Sequence, residues 1–345
     1  MSSDDTSYLD GDGEEVILFD DETDIEPSEE IVIEVPNSMD QIRLDRIVST
    51  YTSSSRSIVE HAIDRGEVSL NGKVVHQKSQ RVSEGDLISV KRELLVEAIS
   101  HEVHGEDDIA FGVVFEDHDI LVIDKPADLV VHPGVKNASG TLINGIIGRY
   151  PEIAEVGNPL RPGVVHRIDK GTSGLIVVAR SEVAYESLSA QMAQHSSRRR
   201  YIALVAGSLT PDSAVIDGPI AKSLRQIGLM RIAPSGKPSR TKYQKLGEGY
   251  FRSELVSIAS FELETGRTHQ IRVHISNYGY PIVGDHSYGS NFDLGDRVFL
   301  HAFALTLDHP VTGDRVEFRA PLPPDLRALE DEMDQGLVDL LKQFH

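Results

Sequence analysis

The sequence predicts an α+β protein, with a large domain built on a central, mainly antiparallel sheet and a small α/β module before it. Between residues 100 and 325, apolar runs of strand length, such as residues 175–179 and 201–205, are more common than helical patterns. Between residues 38 and 92, two amphipathic helical patterns precede several short strand patterns. Strands mixed with few helices in this way are typical of α+β folds.

Acidic residues are concentrated at the N-terminus. The chain of 345 residues has a formal net charge of −21, and residues 1–35 contain 14 Asp and Glu but no Lys or Arg. The remainder has 34 basic and 41 acidic residues, a net charge of −7. A segment of like charge repels itself and buries little apolar surface. We therefore predict a disordered acidic tail over residues 1–37, and any nucleic-acid binding must come from local basic surfaces.

Composition and motifs exclude several other classes of protein. The chain has no cysteine, which excludes disulfides and thiolate zinc sites. The His-Glu-x-x-His motif is also absent, so we expect no metal site. No apolar run approaches the ~20 residues of a membrane span, and no signal peptide is visible. We expect a cytoplasmic protein, and a monomer, because no apolar repeat indicates an obligate partner.

The small module is predicted over residues 38–95. Apolar residues from Leu44 to Tyr51 recur at i, i+3, i+4 and i+7, which predicts one amphipathic helix, and residues 58–63 predict a second. An Asn71-Gly72 dipeptide between short apolar runs predicts a β-hairpin, and residues 87–90 predict a further strand. A module of this size has a marginal core, so we expect it to serve binding rather than catalysis.

Basic residues of this module could contact RNA phosphates or could form only a solvated helix face. The order of its motifs, R-L-D-R, then A-I-D-R-G-x-V-x-L-N-G-K-V and G-D-x-I-x-V, resembles the S4 domain of ribosomal proteins and RNA modification enzymes. The resemblance implies RNA binding. The arginines predicted to contact RNA are Arg43, Arg46, Arg56 and Arg65.

The large domain is predicted over residues 100–330, followed by a helical extension over residues 331–345. A strand that begins at Ile120 ends before Pro126, since a residue that precedes proline favours extended geometry. The sequence HRIDKGTSG, residues 166–174, stands directly before an apolar run of strand length. Such a loop could hold a catalytic site or only a surface ion pair of Arg167 with Asp169. Its glycines do not match a phosphate-binding loop.

Four motifs of the large domain resemble the RluA/RluD-type family of pseudouridine synthases. They are VIDKPADLVVHP, HRIDKGTSGLIVVAR, RRRYIALV and ELETGRTHQIRVH, and they occur in the family order. With the S4-like module, the similarity covers roughly residues 38–325. It implies the pseudouridine synthase fold and the conversion of uridine to pseudouridine in RNA.

The resemblance also assigns site residues. Asp169 matches the catalytic aspartate, Tyr201 the active-site tyrosine, and Arg272 the basic residue that pairs with the aspartate. Arg167 matches the arginine that helps to displace the target base from its stack. His166, Arg267 and His269 are further candidate RNA contacts, and for Arg267 and His269 a structural role is the alternative. Ile168 and Gly171 depart from the commoner family residues without an expected effect on the chemistry.

The implied reaction needs no cofactor. It breaks the glycosidic C–N bond, rotates the uracil and rejoins it through carbon, so nothing is oxidised and no group is transferred. An ionised carboxylate either attacks covalently or takes a proton to form a glycal. The target base must be flipped out of the RNA, at a cost of a few kcal/mol. Tyr201 would stack on the base and remove the C5 proton, and Arg167 would fill the gap.

Two basic clusters support an RNA partner without use of the resemblance. Residues 221–245 contain seven Lys and Arg and no acidic residue, and Arg198, Arg199 and Arg200 precede the tyrosine strand. Residues 234–236 predict a turn, so a basic hairpin with Lys237, Arg240 and Lys242 could bind RNA; the alternative is a solvated loop.

Large-subunit ribosomal RNA is the expected target, because S4-bearing members of the family usually act there. Three alternatives stay open at this point: the same chemistry on transfer RNA, a non-catalytic ribosome-assembly factor, and a carboxylate-dependent glycosidase that acts on small molecules.

Overall fold

The structure is a computed structural model that describes most of the chain. It describes residues 6–9, 15–18, 30–35, 39–52, 56–91, 103–133, 137, 139–158, 161–223, 226 and 228–345. Within these ranges, a four-stranded sheet forms the small domain and a nine-stranded sheet forms the large domain. No helix in the described part of the chain is long and apolar enough to cross a membrane.

The small domain packs two helices against an antiparallel sheet. Leu44 and Ile63, one from each helix, are fully buried in its core with Ile88 of the sheet. The predicted hairpin is present, with positive φ at Asn71 and Gly72, as a tight hairpin turn requires. Its elements are α1 (Leu44–Thr52), α2 (Arg56–Asp64), β4 (Val68–Leu70), β5 (Lys73–Val74) and β6 (Leu87–Lys91), joined by β3 (Glu30–Glu34) in the order β3-β6-β4-β5.

Strand β3 differs from the predicted acidic tail. It pairs antiparallel with β6, and Ile33 and Val35 are 3% and 1% exposed in the core of the small domain. The alternation of apolar and acidic residues in this segment suits a strand with one buried face. Two further strands, β1 (Thr6–Leu9) and β2 (Glu15–Leu18), pair with each other. The rest of residues 1–29 lies outside the described residues.

The large domain is built on one mixed sheet that is mainly antiparallel. The strands are β7 (Gly112–Glu116), β8 (Ile120–Lys125), β9 (Ser173–Ala179), β10 (Arg198–Ala206), β11 (Ser213–Asp217), β14 (Arg240–Phe251), β15 (Glu254–Leu263), β16 (Leu300–Asp308) and β17 (Arg315–Arg319). Their order in the sheet is β11-β14-β15-β10-β16-β9-β8-β7, and β17 pairs with β16. All pairs are antiparallel except β9 with β16, so the predicted fold class is confirmed.

Helices cover this sheet, and a small hairpin lies beside it. Strands β12 (Ile220–Lys222) and β13 (Met230–Ile232) form the hairpin. The helices are α3 (Leu142–Arg149), α4 (Glu182–Ala193), α5 (Gln270–Asn277), α6 (Pro324–Arg327) and α7 (Gln335–Leu341). Ser181 caps α4, because its hydroxyl accepts a hydrogen bond from Ala184 N–H at 3.2 Å.

Candidate active site

Asp169 lies in the loop before β9, and buried groups hold this loop on both sides. Lys125 Nζ donates a hydrogen bond to the Lys170 carbonyl at 3.3 Å, and Arg297 Nη1 donates to the Gly171 carbonyl at 2.6 Å. Thr172 N–H donates to the Asp169 carbonyl at 3.1 Å and closes a turn. The Asp169 side chain is 16% exposed. The loop therefore presents one carboxylate to a pocket from a fixed backbone.

Gly174 allows the strand after this loop to approach its neighbour. Its φ is +111°, and a Cβ at this position would lie 2.3 Å from the Ala302 carbonyl oxygen. Ala302 and Gly174 are partners in the parallel pairing of β9 with β16. A side chain here would push the two strands apart and displace the Asp169 loop.

Arg272, on α5, lies between two carboxylates. Its Nε and Nη2 donate to Asp285 at 2.7 and 2.8 Å, and its Nη1 donates to Asp169 Oδ2 at 3.4 Å. Its guanidinium carbon also lies 5.0 Å from the centroid of the Tyr288 ring. The Asp285 side chain is only 1% exposed. Asp285 and Tyr288 thus orient the guanidinium, and its free edge faces Asp169.

The charges around Arg272 keep it ionised. Burial acts to lower the pKa of Arg272, but the hydrogen bonds with Asp285 and the charge of Asp169 outweigh burial and raise it above its ordinary value. The site therefore has a permanent cation whose position is set by a fully buried acid.

Tyr201 and Arg199 reach the pocket from the same face of β10. Both are buried, at 5% and 7% exposure, and both line the pocket with Asp169. Burial raises the pKa of the Tyr201 hydroxyl to about 12, with a further increase from Asp169 and opposition from Arg199. The ring is therefore neutral at physiological pH and can stack on a base.

Arg198 and Arg200 face the opposite side of the strand, because side chains alternate along β10. Arg198 Nε lies 4.0 Å from Glu262, and Arg200 Nη2 donates to Glu317 at 2.9 Å. The three arginines predicted as one RNA-binding group are thus divided, and only Arg199 lies at the pocket.

Gln270 fixes the loop that closes the pocket. Its Oε1 accepts hydrogen bonds from the Thr265 hydroxyl at 2.7 Å and from Arg267 N–H at 2.9 Å. Its Nε2 donates to the Arg240 carbonyl at 2.9 Å. His269 has φ +57° at the start of α5, and its Nδ1 is 2.8 Å from the Tyr288 hydroxyl. Burial lowers the pKa of His269, so the ring stays neutral at physiological pH.

Of the residues for which the motifs imply RNA contacts, Arg167, Arg267 and His269 line the pocket. His166 does not line it: this residue lines a neighbouring cavity, and its Nε2 accepts a hydrogen bond from Val177 N–H at 2.9 Å. Arg167 and Arg267 line both cavities and form a wall between them.

The predicted basic hairpin does not form: the turn at residues 234–236 joins β13 to β14, and these two strands belong to different sheets. The basic residues after this turn lie next to the loop that Gln270 fixes. Residues 234–236 form a turn, and Arg267 Nε donates to the Pro238 carbonyl at 3.3 Å. Arg240 Nη1 lies 3.4 Å and Lys242 Nζ 3.3 Å from Glu264, whereas Lys237 is exposed. Carboxylates from outside the cluster therefore balance part of its charge.

The arginines of the small domain have varied surroundings. Arg43 forms a bidentate pair with the buried Asp45 at 3.1 and 2.7 Å, and Arg65 Nε lies 2.8 Å from Glu67. Arg46 is exposed. The side chain of Arg56 lies outside the described residues.

The sequence motifs did not single out Asp285, Tyr288 or Lys125 as site residues. The only signal for the first two is the sequence GDHSYG, residues 284–289, a polar cluster between glycines. Lys125 is the last residue of β8, its side chain is fully buried, and its Nζ donates to the carbonyls of Pro126 at 2.7 Å and Leu129 at 2.8 Å.

The assembled pocket combines one carboxylate, one fixed guanidinium and one neutral aromatic ring. A carboxylate in this setting can act as a nucleophile or as a base toward a sugar or base that enters the pocket. The aromatic ring provides a surface on which a flipped base can stack. The exposed arginine of the wall, Arg167, can contact the nucleic acid at the entrance.

Comparison with known proteins agrees with this geometry. Residues 119–277 match the RNA pseudouridylate synthase family, and residues 42–88 match the S4 domain. The chain is 38% identical over 317 residues to the ribosomal large subunit pseudouridine synthase D of Vibrio parahaemolyticus, which covers 86% of this chain and 94% of that protein. It is 42% identical over 311 residues to an uncharacterized RNA pseudouridine synthase of Chloroflexus aurantiacus, with 89% and 94% covered.

A solved structure is also similar. Human RNA pseudouridylate synthase domain containing 1 superposes with a TM-score of 0.54 at 28% sequence identity. The match covers 68% of this chain and 95% of the human chain.

Proposed function

The chain belongs to the RNA pseudouridylate synthase family, and we propose that it converts uridine to pseudouridine in large-subunit ribosomal RNA. It is an enzyme of the pseudouridine synthase type, with an S4 domain for RNA binding. The ribosomal target is supported by the name of the Vibrio parahaemolyticus relative, whose sequence aligns with most of this chain.

The observation that carries the proposal is the position of Asp169. Its carboxylate lies 3.4 Å from Arg272 Nη1 in a pocket that Tyr201 also lines. We propose that Asp169 is the catalytic residue and that Arg272 positions its carboxylate. Two routes use this group: covalent attack on the nucleoside, or removal of a proton to form a glycal. In both routes the C–N bond breaks, the uracil turns within the pocket, a C–C bond forms and the C5 proton leaves.

We propose that Tyr201 stacks on the uracil while it is detached from the ribose. A neutral ring suits this role, because the base must be retained yet free to rotate. The hydroxyl would also take part in removal of the C5 proton, the last step of the reaction. Arg167 is exposed at the mouth of the pocket, where it would occupy the space that the flipped base leaves in the RNA.

RNA would approach along the face that carries Arg167, Arg267 and the exposed Lys237, with further contacts from the S4 domain. The Gln270 hydrogen bonds and the Arg267 contact with Pro238 hold the loop of Arg267 beside the segment of Lys237, and Arg167 lines the same pocket as Arg267. Phosphate contacts of this kind supply affinity and position the RNA, while the pocket selects the base.

The target is tested by mapping pseudouridine in RNA from cells that lack the enzyme. Large-subunit ribosomal RNA and transfer RNA from the deletion strain are incubated with the purified protein, and carbodiimide adducts are located by reverse transcription. We expect new adducts in large-subunit ribosomal RNA alone. Adducts only in transfer RNA would refute the ribosomal target while leaving the enzyme class intact.

A further inference from the structure

A second cavity lies beside the active-site pocket. It has a volume of about 440 Å³, within the range of about 300–1,000 Å³ that is usual for ligand sites. Arg167, Arg199, Gly266 and Arg267 line both cavities and form the wall between them. A ligand in the second cavity would therefore lie against the same side chains as the target uridine. The assigned catalytic residues Asp169, Tyr201 and Arg272 line only the first cavity, so the chemistry leaves the second one without a role.

The second cavity is strongly basic. Four arginines line it, namely Arg161, Arg167, Arg199 and Arg267, and no acidic residue does. Within the described ranges, none of the four has a carboxylate within 4.0 Å, whereas Arg198, Arg200 and Arg297 each do. In a chain with a net charge of −21, arginines without acidic neighbours indicate an anionic ligand.

Buried polar atoms without partners are concentrated at the same place. Five buried side-chain atoms in the described part of the chain lack a hydrogen-bond partner, and three belong to residues of this cavity: His132 Nδ1, His166 Nδ1 and Arg199 Nε. A buried polar group without a partner costs roughly 1–3 kcal/mol. Such groups are rare in folded proteins, and a cluster of them is typical of a functional site.

The hydrogen bond of His166 shows which kind of group it lacks. Val177 N–H donates to Nε2 at 2.9 Å, so Nε2 is an acceptor and carries no proton. Burial, with the charge of Arg199, lowers the pKa of His166 to about 3, so the neutral ring carries its proton on Nδ1. The atom without a partner is thus a donor, like Arg199 Nε. These atoms have almost no accessible surface, so the guanidinium groups that line the cavity, rather than the atoms themselves, would contact an anion. Around this cavity donors exceed acceptors, which favours an anionic ligand.

The remaining lining suits a flat apolar group next to this anion. Val164, Val165, Met192 and Ala193 contribute apolar surface, the last two from the end of α4. A nucleotide combines both chemistries, a phosphate with acceptor oxygens and a base that packs on apolar side chains. A free phosphate would leave the apolar surface unused.

We propose that the second cavity binds the nucleotide next to the target uridine, with its phosphate against the arginines and its base against Val165, Met192 and Ala193. This rests on the proposed function, because it takes RNA as the ligand. The shared wall of Arg167, Arg199 and Arg267 places the two nucleotides side by side. The enzyme thereby holds two unstacked nucleotides, and the second contributes to the choice of RNA.

Filling the cavity without a change of charge tests this directly. Ala193 is exposed at the end of α4 and lines the cavity, so Ala193→Phe should fill the space and leave the fold intact. Val183 is on the same helix, 62% exposed and outside the cavity, so Val183→Phe is the matched control. Both variants and the wild type are assayed for kcat and KM of pseudouridine formation.

Each protein is given RNA substrates that carry one abasic residue, on either the 5′ or the 3′ side of the target uridine. The RNA is whichever one the wild type modifies, so a wrong ribosomal target does not affect this test. For the wild type and Val183→Phe, we expect one of the two abasic substitutions to raise KM by about 5- to 150-fold, which is the range for the loss of one base contact. The kcat of these two proteins should change less than threefold.

Ala193→Phe should raise KM for the intact RNA by a similar factor and should lose the sensitivity to the abasic residue.

Arg161 lines the second cavity but not the first, so Arg161→Gln should also raise KM. The slope of RNA affinity against salt concentration should become shallower by the amount expected for about one lost phosphate contact. The proposal is overturned if neither abasic substitution affects the wild type, or if Ala193→Phe stays as sensitive as the control.

Discussion

Asp285→Asn tests whether a fully buried acid holds the active site in place. Asn has nearly the same size as Asp, but it lacks the charge and offers one acceptor in place of two. The variant would thus remove one of the two hydrogen bonds, at 2.7 and 2.8 Å, that orient the guanidinium of Arg272. Among the described residues, Asp169 would become the only carboxylate within 4.0 Å of Arg272, whose Nη1 lies 3.4 Å from it.

The expected effect on stability follows from the burial of the pair. The side chains of Arg272 and Asp285 are 11% and 1% exposed. Removal of one partner from a buried pair costs about 3–5 kcal/mol, because the other charge stays buried without compensation. Since Asn keeps one acceptor, we expect a loss of about 3 kcal/mol in the free energy of unfolding.

The effect on catalysis follows from the orientation of Arg272. Without Asp285, the guanidinium turns toward Asp169 and displaces the carboxylate from the position set by its loop. A shift of about 1 Å in a catalytic group can lower the rate by about 100-fold. We expect kcat to fall by about that factor and KM to change much less, because Asp285 does not line the pocket.

Single-turnover pseudouridine formation and urea unfolding measure the two effects. Asp325→Asn is the matched control, since it removes the carboxylate 2.7 Å from another buried arginine, Arg297. Asp325 is 49% exposed, and Arg297 keeps its hydrogen bonds to Gly171 and Ser173, so we expect a loss under about 1 kcal/mol and near-normal activity. Equal effects of the two variants on kcat would refute the positioning role of Asp285.

Three further predictions concern neighbouring groups. Tyr201→Phe keeps the ring but removes the hydroxyl, so we expect kcat to fall by about 100-fold with KM nearly unchanged. In the wild type, the pKa of Tyr201 is raised to about 12, so the rate should show no increase from ionisation of Tyr201 between pH 7 and 9 in buffered assays. Lys125→Met leaves the carbonyls of Pro126, Leu129 and Lys170 without their donor, and urea unfolding should show a loss of about 3 kcal/mol or more, with reduced kcat. Burial raises the pKa of Asp124 from 3.8 to about 6, so between these pH values the native state holds a proton that the unfolded chain has lost. The free energy of unfolding therefore falls as the pH rises through this window and stays low above pH 6. Asp124→Asn should therefore stabilise the protein by about 1–3 kcal/mol at pH 7.5, and urea midpoints should show the gain decline toward pH 4.

The sequence predicted the elements of the fold better than their pairing. Helices α1 and α2, the Asn71-Gly72 hairpin and the buried strand β9 depend on local periodicity and turn residues, which a single sequence contains. Strand β3 was missed because its flanks are acidic, and its burial depends on pairing with β6, more than 50 residues away. The parallel pairing of β9 with β16 likewise depends on contacts distant in the chain.

The predicted site residues came from motifs, and those motifs contain the groups that contact substrate. Asp285 and Lys125 were not predicted because they act through hydrogen bonds to Arg272 and to the Asp169 loop, which no spacing indicates. The alternation of side chains along a strand is enough to separate Arg199 from Arg198 and Arg200 from the sequence alone. The second cavity could not be predicted, since its lining comes from segments between residues 132 and 267.

Tritium release from RNA labelled at C5 of uridine tests the central claim most directly. Wild type, Asp169→Asn and the exposed-site control Asp331→Asn are compared on the same large-subunit ribosomal RNA, with RNA binding measured in parallel. We predict equal release by the wild type and the control, and no release by Asp169→Asn, although it still binds the RNA. Release by Asp169→Asn at the wild-type rate would contradict the assignment of Asp169 as the catalytic residue.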